Sequence, residues 1–504
     1  MQMESVRIVI VGAGVAGISA ARELKKRGFR DVKILEASNR VGGRVLTKQY
    51  GPHIVELGAQ WIHGQGENPI YKLAKANNLV NDTGDDSSSE ESDNEAQYFT
   101  QFGEQIEGKI ARDVTTVMNK LYIEGDRFYR EGLPVDEGML SVGSFFRRRF
   151  LDYLAACDDQ PDRVSLKKGV FDSYVRFNMV DNGCDTMDEV CIKHWGCYLE
   201  YEGSQRDVEL KHGYQPVLDL LVEDVQSDWI HFDKPVKSIQ YNQDDPVSLK
   251  QQDLSSPVNA ASCAKTSPVK VVCEDGDEFN ADHVIVTSSL GFLKENSESF
   301  FQPPLPGVKT NALKRLKFGT VNKVYLEFEK PFWDENYDII LCWLENQPFT
   351  LSCIDSESIS AKCPWYKDIL SFDVLDKLPN VLEMWISGKS AVTMETVPDA
   401  ELQAVVIEIL RRFTNNANIP NPVKMTRTYW SGTPYILGSY SYLPVGASEK
   451  DICDLADPVP CQKNPLVLFA GEATSPHHFS TVHGAFSSGV REAMRLSILY
   501  GGKV

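Results

Sequence analysis

Arg7-Ile8-Val9-Ile10-Val11-Gly12-Ala13-Gly14-Val15-Ala16-Gly17, running on through ISAARELKKRGFRDVKIL to Glu36, is the stretch on which the fold turns. Arg7 to Val11 is a short β-branched run that reads as a buried strand, and Ile18 to Arg27 has helical composition. Between them GAGVAG supplies Gly12 for a tight turn, Gly14 for close approach of backbone to a pyrophosphate, and Gly17 for packing of the helix on the strand, with Ala16 counted among the cofactor contacts. The helix N-terminus then offers unsatisfied N–H groups and a positive dipole end to phosphate. A second strand, Val32 to Leu35, ends on Glu36, whose carboxylate is placed to accept hydrogen bonds from a ribose diol. A glycine motif alone is weak; strand, glycines, helix, strand and acid in this order predict an α/β dinucleotide-binding unit.

Composition bounds the remainder. At about 150 residues per domain, 504 residues predict two or three domains. The hydrophobic fraction of 42% and charged fraction of 24% are those of an ordinary globular protein rather than a disordered one. Only six residues precede the first strand, too few for a secretion signal, and no run reaches the ~18 apolar residues of a membrane span, so an intracellular, soluble chain is expected. Eleven cysteines, an odd number with no CxxC pair, suit reduced thiols. The histidines, His477-His478 and His483 among them, show no metal-site spacing, so no metal is expected. A net charge of −19 argues against nucleic acid and is compatible with steering a polycation.

Two stretches follow the dinucleotide unit. In Asn39 to Arg44, NRVGGR, the glycines let backbone pass close to a ligand and Arg44 presents a rigid fork of donors suited to phosphate. In Glu56 to Gly64, ELGAQWIHG, the isolated His63 taken alone reads as a satisfied core residue, the commoner case. GAGVAG, Glu36, GGR and ELGAQWIHG in this order resemble the flavin-dependent amine oxidase family, and the WIHG form is similar to the animal polyamine oxidases. The resemblance implies FAD rather than NAD. It places Gly58, Gln60 and Trp61 with the cofactor and makes His63 a catalytic and substrate-binding candidate.

The resemblance extends along the chain. Period-two alternation in FGTVNKVYLEFEKPFW puts Val324, Leu326 and Phe328 on one strand face and Val321, Lys323 and Tyr325 on the other. Spacing alone would make Lys323 a solvated edge residue. The family segment it resembles carries a lysine that holds a water against flavin N5, which makes Lys323 the second catalytic candidate. Val236 falls where backbone would meet adenine, and Glu472 in the ribityl or phosphate region. Thr481 and Val482, at the opening of a helix running to about Tyr500, fall at the flavin ring. GSYSY implies Tyr440 and Tyr442 as substrate contacts, with Thr481 beside them; monoamine oxidases have a tyrosine near the Thr481 position, so a two-ring cage is not expected here. Acids for the distal ammonium groups are sought among Asp181, Asp185, Glu200 and Glu202, with none singled out.

The implied architecture is α/β, a Rossmann-like FAD-binding domain from about 1–80, 205–295 and 450–504 interleaved with an α+β substrate domain from 81–204 and 296–449. Residues from about Phe99 to Gln205 read mostly as helices, Val142 to Ala156 among them; Trp229 to Ile239, Val269 to Val272, Asp282 to Thr287, Phe372 to Leu375 and Val381 to Ile386 read as strands. Asn81 to Glu95, with seven acids and no base, and the polar run Asn242 to Pro268 read as poorly ordered surface loops.

The implied reaction is oxidation of spermine or an N1-acetylated polyamine with O2, giving a shorter amine, an aminoaldehyde and hydrogen peroxide. The reacting amine, with a pKa near ~10, must lose its proton first, and His63 is a candidate to position it or relay that proton. Other members of the class are alternatives. A monoamine oxidase is expected to carry a C-terminal membrane helix and a histone demethylase relative a large helical insertion and an N-terminal accessory domain, neither of which this sequence shows. A flavoprotein scaffold without turnover is the third alternative. The ending Lys503-Val504 is not a peroxisomal SKL-like tripeptide, so a cytoplasmic, spermine-type enzyme is expected, with the nucleus as a second compartment.

Overall fold

The β-branched run Arg7–Val11 forms the centre of a parallel sheet whose strand order is Val467–Phe469, His283–Val286, Arg7–Val11, Asp31–Leu35 and Ile230–His231. The computed structural model describes residues 3–80, 96–201, 207–242, 267–333, 338–345, 347–375, 377–460 and 464–502. The acidic stretch 81–95, residues 243–266 of the polar run and Glu202 lie outside the described residues. Alternate side chains of the sheet serve two cores. Ile8, Ile10, Ile34, Ile285 and Leu468 pack under the helices Val15–Lys26 and Val482–Leu499, while Val9, Val11, Leu35, Val284, Val286 and Phe469 pack on the opposite face. Burial on both sides explains why these strands read as continuous apolar runs. The first helix begins at Val15, three residues before Ile18, because the first turn of a helix can absorb Ala16 and Gly17 straight out of the glycine turn.

The second face is closed by a sheet of order Glu278–Ala281, Val269–Cys273, Val236–Tyr241 and Phe301–Gln302, whose Ile239, Tyr241, Val269 and Val271 share the core beneath it. The stretch Trp229 to Ile239 is therefore not one strand. A two-residue strand, Ile230–His231, joins the parallel sheet, and the chain then breaks at Asp233, with φ of 53°, and at Pro235 before Val236–Tyr241 enters the second sheet.

A mixed six-stranded sheet makes up the other half, ordered Lys424–Arg427, Val321–Glu327, Leu378–Ser387, Ser371–Leu375, Ile339–Cys342 and Gln97–Thr100. Val324, Leu326 and Phe328 face a core with Met384, Ile386 and the helix Asp399–Phe413, as the alternation predicts. The helices Gly108–Arg130, Val142–Ala156 and Pro161–Asn182 share another core through Val114, Met118, Phe146, Phe150 and Phe171. Lys323 lies in an interior strand of the six-stranded sheet, on the face opposite the large core.

Candidate active site

At the glycine turn the residues divide by what surrounds them. Gly12 has φ of 101°, and a Cβ there would lie 2.7 Å from Thr287 Oγ1; a Cβ on Gly17 would lie 2.0 Å from Gly12 O and 3.3 Å from Ile10 Cγ2. A Cβ on Gly14 would meet nothing within 4 Å. Gly12 and Gly17 are thus required by the turn and by helix packing, and Gly14 opens onto free space. NRVGGR folds back against this turn, with Gly42 N–H donating to Ala13 O at 2.9 Å. Ala16, nearly fully buried, packs its carbonyl against Gly489 of the C-terminal helix rather than facing the open side.

Glu36 stands at the end of its strand. One carboxylate oxygen accepts from Ala13 N–H at 2.7 Å and the other from the Ser38 N–H and hydroxyl at 2.9 and 2.7 Å. A carboxylate has about four lone-pair directions, so capacity for a further hydroxyl donor remains. The Glu36 backbone pairs with His231 and Lys234, which draws Val236 alongside. Arg44 donates to Glu472 at 2.8 Å and to Ser439 O at 2.8 Å, while Glu472, 4% exposed, also accepts from Ser441 Oγ at 2.6 Å and Ser480 N–H at 2.8 Å. Gly58 is the residue that lets the Arg44 backbone pass, since a Cβ there would lie 1.9 Å from Arg44 O. Thr481 caps the helix Val482–Leu499, its hydroxyl accepting from Gly484 N–H at 3.0 Å and donating to His478 O at 2.8 Å. Val482 opens the first turn beside the core of the parallel sheet.

Lys323, 4% exposed, is buried under a stacked pair of indoles: Trp61 and Trp385 lie 5.6 Å apart at 16°, and the ammonium is 4.2 Å from the Trp385 ring. Its Nζ donates to Glu56 O at 3.0 Å and to Gln60 Oε1, and pairs with Glu383 at 3.3 Å. Three acceptors match the three donors of an ammonium. Burial pulls the lysine pKa down, Glu383 and Glu56 oppose it, and the net direction is downward. A water at Lys323 would therefore exchange with one of these acceptors.

His63 lies one residue beyond Trp61–Ile62, which pairs antiparallel with Val208–Glu209 in the register Ile62↔Val208. The next pair in that register is His63 with Asp207, and the imidazole Nδ1 is 2.7 Å from Asp207 Oδ1. Both side chains are about half-exposed, at 44% and 50%. Burial lowers the His63 pKa, the Asp207 hydrogen bond and charge raise it with help from Asp181, and the net direction is upward. Asp181 and Glu200 belong to the same electrostatic neighbourhood, whereas Asp185 pairs with Lys389 at 3.6 Å. Tyr440 packs with Trp61, Trp385 and Val321, its hydroxyl on Val180 O. Tyr442 is set apart from it, buried in the helical core with its hydroxyl on Glu189 at 2.7 Å.

Residues 15–497 match the family described as flavin containing amine oxidoreductase. The chain belongs to this family. Human peroxisomal N(1)-acetyl-spermine/spermidine oxidase is 33% identical over 99% of this chain and 96% of its own length. Probable polyamine oxidase 5 of Arabidopsis thaliana is 27% identical over 97% of this chain and 98% of its own. The solved structure of wild-type putrescine oxidase bound to putrescine superimposes with a TM-score of 0.64 at 17% identity, covering 97% of this chain and 98% of that one, a likeness of fold.

A dinucleotide cradle in a flavin amine oxidoreductase makes the cofactor FAD, and the residues present fit it: space is open at Gly14 alone of the three turn glycines, and Arg44 and the capped helix N-terminus converge on the Glu472 region. No helix among the described residues is long and apolar enough to cross a membrane. Asp207 and Glu383 were beyond reach of the sequence. Each meets its partner through strand register, Asp207 across a gap of 144 residues, and no local pattern marks either. His483, read in the sequence only for metal spacing, lies in the first turn of the helix Val482–Leu499, 2% exposed, with Nδ1 3.3 Å from Asn68 Nδ2 and its pKa driven to about 3 by burial, His478 and His63.

Proposed function

We propose that this amine oxidoreductase oxidises a secondary amine of spermine or an N1-acetylated polyamine, consuming O2 and releasing a shorter amine, an aminoaldehyde and hydrogen peroxide. The observation that carries the reading is the buried Lys323 under Trp61 and Trp385 in the same site region as the half-exposed His63–Asp207 pair, in a chain whose human relative is named for acetylated spermine and spermidine. Bound FAD would take the hydride from the carbon next to the amine and pass the electrons to O2. Gly12, Gly14, Gly17, Glu36 and Arg44 would hold its dinucleotide portion, with Val236 backbone beside adenine and Glu472, Thr481 and Val482 on the flavin side. Gln60 keeps its amide oxygen on Lys323, and Gly58 lets the Arg44 backbone pass close by.

His63 works on the substrate proton. Asp207 occupies Nδ1 and leaves Nε2 for the amine, and the charge on Asp207 favours the imidazolium. An imidazolium beside the reacting nitrogen opposes a second positive charge there and so favours the neutral amine that can lose hydride. Asp181 and Glu200 supply negative charge for the distal ammonium groups. Trp61, Trp385 and Tyr440 wall the site with apolar rings that exclude water and attract cations.

The three-segment FAD domain and two-segment substrate domain are part of this proposal. The parallel strands fall within 1–80, 205–295 and 450–504, and the six-stranded sheet within 81–204 and 296–449; pairing of Phe301–Gln302 with Val236–Tyr241 supports a boundary after Gln302 rather than at 295. The free thiols of the described cysteines support a reducing compartment such as the cytoplasm. Anaerobic mixing with spermine, N1-acetylspermine, spermidine and a monoamine tests the function: bleaching of the flavin by a polyamine supports it, and an unbleached, FAD-loaded enzyme overturns it.

A further inference from the structure

Reduction of O2 to hydrogen peroxide takes up two electrons and two protons. A hydride equivalent delivers both electrons and one proton, so the second proton must come from the protein or solvent. Behind Lys323 the six-stranded sheet carries a row of ionisable side chains in register: Tyr325 opposite Glu383, and Glu383 opposite Asp373, on the face turned away from the large apolar core.

The row is short of one proton. Tyr325 Oη lies 2.6 Å from Glu56 O and 2.6 Å from Glu383 Oε1. The backbone carbonyl only accepts, and the phenol has one hydrogen. With Glu383 ionised, one of these contacts has no hydrogen to share; a proton on Glu383 completes both. Gln60 Nε2, 3.3 Å from Glu383 Oε2, and Lys323, 3.3 Å from Oε1, hold the carboxyl in place. Glu56, 8% exposed, is a further buried carboxyl beside the row, its Oε2 without a hydrogen-bond partner among the described residues. The groups that face Glu383 are Lys323 and Tyr325 from the lysine strand, Asp373 from the next strand, and Glu56 and Gln60 from the loop side; Tyr50 stands behind Tyr325 and Asp338 behind Asp373. So many carboxyls around one buried lysine cannot all ionise.

We propose that Glu383 is the proton donor that recharges Lys323 during oxygen reduction, and that Asp373 and Asp338 refill it from further across the same face of the sheet. This role rests on the amine oxidase reading above. An N–H bond of the Lys323 ammonium breaks and its proton goes to the oxygen being reduced. The lone pair left on Nζ takes the proton of the Glu383 carboxyl across 3.3 Å, leaving a carboxylate. That carboxylate regains a proton from solvent by way of Asp373, half-buried next to it, and Asp338, whose carboxylate accepts from Val374 N–H at 3.0 Å. The electrons are those already delivered to O2, and one solvent proton is consumed per peroxide.

The test uses FAD-loaded enzyme reduced photochemically, so that no amine is needed, then mixed with O2. Glu383→Gln should slow reoxidation roughly 10²-fold, with the rate restored by millimolar concentrations of a small weak acid. The infrared difference spectrum between reduced and oxidised wild type should show a protonated-carboxyl stretch that Glu383→Gln removes. Wild-type reoxidation by that variant across pH, or absence of the carboxyl band, overturns the proposal. If the variant does not retain FAD, Asp373→Asn decides: slowed, acid-rescued reoxidation upholds the relay and an unchanged rate sinks it. Failure of polyamines to bleach the flavin would instead remove the substrate assignment and leave these measurements standing.

Discussion

Two buried or half-buried pairs at the residue scale make opposite demands on protons. Asp207 is the group that raises His63, and burial is what lowers it. Asp207→Asn should therefore move the His63 titration to lower pH, read by NMR of the imidazole or by the pH profile of anaerobic bleaching; an unmoved titration would mean that Asp207 does not govern His63. Glu56 behaves differently, with its pKa pushed up to about 7, first by burial and against the Tyr214 N–H and Thr47 hydroxyl bonds. The sign follows from linkage. In the unfolded chain Glu56 ionises near 4.5, so between that value and about 7 the folded state binds a proton the unfolded state lacks, and stability falls as pH rises through this window. Glu56→Gln keeps an acceptor for Tyr214 and Thr47 and removes the charge. It should raise stability at pH 8 by up to roughly 3 kcal/mol, read as a higher melting temperature there but not at pH 4. A variant less stable than wild type at pH 8 would contradict this.

Among the elements, the strand–turn–helix unit was legible nearly residue by residue, because its glycines stand in a fixed order between a β-branched run and a helical stretch. The structure separates those requirements. Gly17→Ala forces a Cβ to 2.0 Å from Gly12 O and should destabilise even the cofactor-free protein by about 1–3 kcal/mol. Gly14→Ala adds a Cβ that touches nothing within 4 Å, so the cofactor-free melting temperature should hold while FAD affinity falls. Equal destabilisation of the two cofactor-free variants would refute that division. Lys323 illustrates the limit of local reading. Alternation assigned its face correctly, but burial came from the strands Leu378–Ser387 and Lys424–Arg427 on either side, which alternation does not reveal. Tyr440 and Tyr442 share a strand face in sequence, yet the neighbouring helix Pro161–Asn182 and Glu189 divide them between the indole cluster and the helical core.

For the molecule as a whole, interleaving joins the halves of the site. The parallel sheet draws on segments near both ends and the middle of the chain, while the mixed sheet brings Lys323 to Glu56 and Gln60 across more than 260 residues. Such long-range pairing is invisible to windowed patterns and was accessible only through likeness to a family. A net charge of −19 adds a prediction at this scale: kcat/KM for a polycationic substrate should fall as salt rises over a Debye length of about 10 Å at 0.1 M, with a neutral amine analogue unaffected. The most direct test of the central claim is stopped-flow reduction of the FAD-loaded protein under anaerobic conditions, comparing spermine, N1-acetylspermine, spermidine and a simple monoamine at one pH. Fast bleaching by spermine or its acetylated derivative, with the monoamine inert, is the predicted result; bound flavin that none of the four amines reduces would contradict it.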